Sequence, residues 1–212
     1  MQRLPIYLAL AFGSLLWPPP AGAQLSVRPD DAAPPLVTED PTLRASLTRI
    51  AEGSALWREA MMSLRRTGRQ AVLLTPDQVV VTDEPGGAAK DTFDPTVLAE
   101  VAPVPHADSR VDVVLVVINL PLLEESHRSA GSVPSQFEAD LDRILVHEVY
   151  GHAVPYLVAG HLSGRCPDPA PGERARSACS IQRENAVRAE LGLGRRTSYG
   201  LDDLHLTRRT RR

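Results

Sequence analysis

The residues best suited to chemistry in this 212-residue chain lie in Leu145-Val146-His147-Glu148-Val149-Tyr150-Gly151-His152-Ala153. Two imidazoles beside a carboxylate can hold a divalent cation, and a glutamate next to that ion can take a proton from water. In the common arrangement the histidines are four residues apart, so that one helical turn brings both to one face. Here His147 and His152 are five apart, which on a regular helix leaves them about 140° apart, too far to share an ion. An inserted residue can be absorbed as a π-bulge. Gly151, together with Pro155, which has no N–H to donate to it, predicts such an irregularity here.

On a helical projection Glu148 falls within the apolar stripe of Phe137, Leu141, Ile144 and Leu145, with the histidines flanking it. A carboxylate pointing inward needs a partner, because burying an unpaired charge costs several kcal/mol. A cation with a bound water would meet that need. A third protein ligand is expected downstream, and Arg183-Glu184-Asn185-Ala186-Val187-Arg188-Ala189-Glu190 offers two carboxylates. Glu184 projects with Ile181, Val187 and Leu191, whereas Glu190 projects away, so Glu184 is favoured. Its alternative role is to pair with Arg188 one turn on. His161 is another option, but its spacing from His152 departs from the metzincin pattern.

The elements that must position these residues are legible in outline. Asp40-Pro41 is a helix start, and Leu43, Leu47, Ile50 and Ala51 recur at helical spacing toward Arg66. Ala71–Leu74 and Val79–Val81, separated by Pro76-Asp77, predict a β-hairpin. A short apolar run covers 97–101, and the strongest strand signal is 111–119. Ser135 with Glu138 predicts a capping box for the helix that runs into the His/Glu segment. A last helix is expected over 180–191, stopped by Gly192 and Gly194. This order of elements predicts an α+β fold in one domain.

Composition limits the remaining classes. The chain is 43% apolar and 23% charged, with a formal charge of −3, so nucleic-acid binding has no global electrostatic support. Residues 1–23 carry Arg3, an apolar run from Ile6 to Trp17 and the small triplet Ala21-Gly22-Ala23, the order of a signal peptide cleaved near Ala23. That run is too short to span a membrane, and no later stretch approaches the needed length. A secreted or periplasmic product is expected, with a flexible lead-in over 24–39, the domain over 40–204 and a basic tail over 205–212. In an oxidising compartment Cys166 and Cys179 are expected to form a disulfide. Closing a loop of about 13 residues is worth roughly 3 kcal/mol.

His147-Glu148…His152 followed by Glu184 resembles the gluzincin class of zinc metallopeptidases. Over six residues the inserted-residue form is similar to the motif of the dipeptidyl peptidase III family. Members of that family are several times longer, and their second motif is matched only in part by Glu184-Asn185…Ala189-Glu190. The block Glu184-Asn185-x-x-Arg188-x-Glu190-Leu191-Gly192…Arg196-x-x-Tyr199 more nearly resembles small secreted bacterial effector-type zinc peptidases, over roughly residues 140–200. These resemblances imply a zincin-like domain with zinc (Zn2+) held by His147, His152 and Glu184, and Glu148 as general base. An extended peptide or protein substrate is expected to pair beside the 111–119 strand. Tyr199 is a candidate oxyanion donor. Tyr150 and His106 are weaker candidates, and His127 and His205 read as ordinary loop or tail residues.

The expected function is therefore an exported zinc-dependent endopeptidase. Two alternatives stay open: a non-catalytic extracytoplasmic domain that binds metal or carries a degenerate motif, and a zinc hydrolase acting on another amide, such as one in the cell wall.

Overall fold

The computed structural model describes residues 34–79, 96–164, 179–197 and 204–205. The expected signal peptide, Cys166, Tyr199 and the basic tail beyond His205 lie outside these residues. No helix among the described residues is long and apolar enough to cross a membrane.

Asp40 starts α1 (Pro41–Gly53) as its spacing predicts: its side chain accepts from the N–H groups of Thr42 and Leu43 at 2.8 and 2.9 Å, with Pro41 as the first helical residue. Ser54 ends this helix and caps α2 (Ala55–Thr67), accepting from the Trp57 N–H at 3.0 Å. The two helices contribute Leu43, Ile50, Trp57 and Leu64 to the core, all essentially inaccessible to solvent.

The sheet has four strands, β1 (Leu36–Val37), β2 (Gln70–Leu74), β3 (Ala99–Pro105) and β4 (Val111–Ile118), in the order β1-β2-β4-β3. Pairings β1–β2 and β2–β4 are parallel, and β3–β4 is antiparallel. Three expectations change here. The lead-in is not wholly outside the fold, because Leu36 and Val37 pair with Ala71 and Val72. The expected hairpin partner of 71–74 is replaced by β1 and β4, while Val79 follows a 3₁₀ turn and Val80–Val81 lie outside the described residues. Finally, β4 has neighbours on both sides, so it offers no edge to a peptide. Its near-continuous apolar run, Val111 to Ile118, is that of a central strand.

The accessible edge near the site is that of β3. The Asn119 N–H donates to the Leu98 carbonyl at 2.8 Å, so alternation along the antiparallel ladder turns the backbone groups of Ala99, Val101, Pro103 and Pro105 away from β4. Both prolines thus occupy positions where a missing N–H costs the ladder nothing, as an edge strand allows.

After β4 the chain forms α3 (Leu120–Ala130) and α4 (Pro134–Leu145), a π-helical segment (Val146–Ala153), α5 (Val154–Ala159) and, further on, α6 (Cys179–Glu190). The start of α4 lies earlier than expected. Pro134 takes the first helical position, and the Gln136 side chain accepts from the Val133 N–H at 3.1 Å, leaving Ser135 inside the first turn. Leu141, Leu145, Val146, Val149, Ala153, Val154 and Leu157 are all buried, so the helical run from Pro134 to Ala159 passes through the core. The result is an α+β domain with a small mixed sheet.

Candidate metal centre

The inserted residue is absorbed as the spacing predicts. From Val146 to Ala153 the helix is wound as a π-helix, and the Val154 N–H donates to the Val149 carbonyl five residues back. Pro155 cannot donate to Gly151 or Tyr150, which removes a competing α-helical bond at this point. The wider turn brings His147 and His152 together: their Nε2 atoms are 3.2 Å apart, and the rings stand at 90° with centroids 4.7 Å apart. His147, Glu148 and His152 each offer a ligand atom within 4.8 Å of the others, and this group could hold a metal ion.

Helix α6 packs against the π segment and supplies the next layer. Gly151 lies at this contact: a Cβ there would stand 3.4 Å from the Ser180 carbonyl oxygen and 3.7 Å from His147 Nδ1, ordinary packing distances. Glu184, fully buried, sits on His147 Nδ1 through its Oε2. Arg188 Nη1 lies 3.3 Å from Glu184 Oε1, and Arg196 Nη1 lies 3.5 Å from Oε2. The expected pairing of Glu184 with Arg188 is therefore present together with the histidine contact. Both arginines are fixed in turn. Arg188 Nε donates to the Gly194 carbonyl at 2.9 Å. The Asn185 side chain accepts from the Arg196 N–H at 2.7 Å and donates to its carbonyl at 3.0 Å. This explains why Glu184, Asn185, Arg188 and Arg196 read as one block in the sequence. The part played by Arg196 is what sequence reasoning missed, because it lies beyond α6, where no helical spacing links it to Glu184.

The Glu148 carboxyl has a raised pKa. Burial is the main cause, opposed by His147 and Arg196 and reinforced by Glu184 and Glu100. Glu100 lies on β3, which packs along the π segment, so the sheet edge and the carboxylate are neighbours.

The alternatives for a third ligand lie elsewhere. Glu190 is exposed at the far end of α6, where it accepts from Ser54 Oγ at 2.5 Å and the Leu56 N–H at 3.1 Å. His161 is exposed and bridges to Arg110 beside β4. Tyr150 turns toward α2, stacked on Trp57 with centroids 6.3 Å apart and with the Arg183 guanidinium 5.7 Å from its ring. His106 pairs with Asp112 at 3.1 Å. His127 and His205 are not ordinary loop residues. They converge on Asp140, a buried carboxylate that also holds Arg143.

Comparison with protein-family models, with curated proteins and with solved structures gives no match to this chain.

Proposed function

We propose that this chain is an exported zinc-dependent hydrolase, an endopeptidase, with His147 and His152 holding the ion and Glu148 as its base. The observation that carries this reading is the 3.2 Å separation of the two Nε2 atoms across the π segment. Two nitrogens bound to one tetrahedral zinc at 2.0–2.1 Å stand about 3.3 Å apart, so the separation of the pair is compatible with a shared ion once the proton between them is lost. When bound, zinc supplies Lewis acidity toward a scissile carbonyl and toward water.

The chain's own residues account for the remaining work. Glu148, its pKa raised by burial, is suited to take a proton from the attacking water and return it to the leaving amine. An extended peptide can pair with the outer edge of β3. There Ala99 and Val101 offer both N–H and C=O, whereas Pro103 and Pro105 offer only C=O. Substrate pairing is thereby confined mainly to the first half of the strand, beside Glu100. Tyr199 remains a candidate oxyanion donor, and a Cys166–Cys179 disulfide remains part of the proposal.

Incubation of the purified chain with casein tests the activity. Cleavage abolished by a chelator and restored by zinc is expected. A protein that binds zinc yet cleaves neither casein nor peptidoglycan would favour the non-catalytic reading.

A further inference from the structure

The sequence favours Glu184 as a third ligand, yet its position relative to His147 argues for another task. An imidazole has two nitrogens, and each can serve one partner at a time. Glu184 occupies Nδ1 of His147. The other nitrogen, Nε2, faces His152. An ion shared by the two histidines therefore lies on the side of the His147 ring opposite Glu184. The group of ligand atoms that gathers here comprises His147, Glu148 and His152, without Glu184.

Both carboxylate oxygens of Glu184 are already engaged within the protein: Oε2 with His147 and Arg196, Oε1 with Arg188. A carboxylate flanked by two guanidinium groups accepts hydrogen bonds, so the proton between it and His147 belongs on Nδ1. That choice of tautomer leaves a lone pair on Nε2, aimed at His152. A carboxylate on the far nitrogen of a ligating histidine orients the ring and raises its basicity.

We infer that Glu184 is a positioning residue that fixes the tautomer and direction of His147, held in place by Arg188 and Arg196, and that it is not itself a metal ligand. This inference rests on the reading of the His147–His152 pair as a metal site. It also assigns a purpose to a buried two-arginine clamp that burial alone would not require: Arg188 is almost wholly inaccessible, an expensive place for a guanidinium unless its charge is used.

The experiment compares wild-type protein with Glu184→Gln and His147→Ala, using zinc and cobalt(II) alone as probes, with circular dichroism to confirm the fold. The metal dissociation constant is read by competition with a chromophoric chelator, and the cobalt absorption spectrum reports the ligand set. Glu184→Gln is expected to bind one metal per chain about 10–100-fold more weakly, with the wild-type cobalt spectrum. His147→Ala is expected to lose binding. Nitrogen-15 spectra of metal-free wild-type protein are expected to show His147 protonated on Nδ1, a readout that does not depend on any variant folding. A folded Glu184→Gln with an altered cobalt spectrum, or with binding lost as in His147→Ala, would overturn the inference and restore Glu184 as a ligand. An unchanged dissociation constant would reduce Glu184 to a packing role. A wild-type protein that binds neither metal would instead overturn the metal-site reading, whatever the tautomer of His147.

Discussion

Two buried carboxylates in this protein each gather histidine and arginine, and they end in opposite states. Asp140 on α4 is fully buried. It accepts from Arg143 Nη1, from the His205 backbone N–H and from His205 Nδ1, each at 2.8 Å, with His127 Nε2 at 3.3 Å. Its partners converge inward, and the cluster ties α3, α4 and the segment at Leu204–His205 together. Glu184 on α6 is equally buried and equally paired with arginine, but its histidine turns its other nitrogen toward a second histidine beside a half-buried glutamate. In the first cluster Arg143 and His205 share the carboxylate, while the buried His127 ring approaches it without a hydrogen bond among the described residues. The second leaves a pair of ring nitrogens at the separation of metal ligands. What separates the two clusters is what their histidines meet: His147 turns its second nitrogen to another imidazole, whereas His127 and His205 gather on one carboxylate, although the residue types are nearly the same.

That contrast can be broken in several ways. The largest effect is expected from Glu148→Gln, which removes the base while leaving the histidines in place. Turnover should fall about 10²–10⁴-fold with zinc still bound, and steady-state hydrolysis with elemental analysis checks both. Retained turnover would remove Glu148 from the mechanism.

Asp140→Ala acts on the other cluster. It leaves Arg143 and the buried His127 without their carboxylate, and a loss of about 3–5 kcal/mol of stability is expected. Chemical denaturation measures this, while the zinc content of the folded fraction should stay that of wild type. A metal loss matching the stability loss would show that the two clusters are not separate.

The smallest effect concerns pH. The His127 pKa is lowered, chiefly by burial, against the opposing pull of Asp140. The unfolded chain then takes up this proton first, so the contribution of a neutral His127 is complete above about pH 6.5 and declines as pH falls below it. Melting temperature against pH, compared with His127→Gln, should show a shallower acid decline in the variant. Identical profiles would mean that His127 does not carry this linkage.

Much of the site was readable from the sequence because it depends on local spacing. A spacing of five positions from His147 to His152, with Gly151 and Pro155 nearby, already required a π-turn if they were to meet, and Val146–Ala153 is wound that way. The burial of Glu184 with Ile181 and Val187 also followed from helical period. Which side of His147 it would meet did not, because that depends on how α6 crosses the π segment. The short β1 was hidden by its length and its proline-rich approach, and the partner of β2 by the same non-local pairing that sheets always require. His127, Asp140 and His205 are too far apart in sequence for any pattern to announce their meeting. Tyr199 and Cys166 lie outside the described residues, so those expectations stand as proposals.

The most direct test of the central claim is the metal content of the purified, folded protein, measured by elemental analysis beside His147→Ala and His152→Ala. Close to one zinc per wild-type chain, lost in both variants, is the result predicted by a π segment that brings the two Nε2 atoms to a shared ion. Folded wild-type protein that stays free of zinc after supplementation would contradict it. The 3.2 Å contact between His147 and His152 would then be a hydrogen bond between histidines and nothing more.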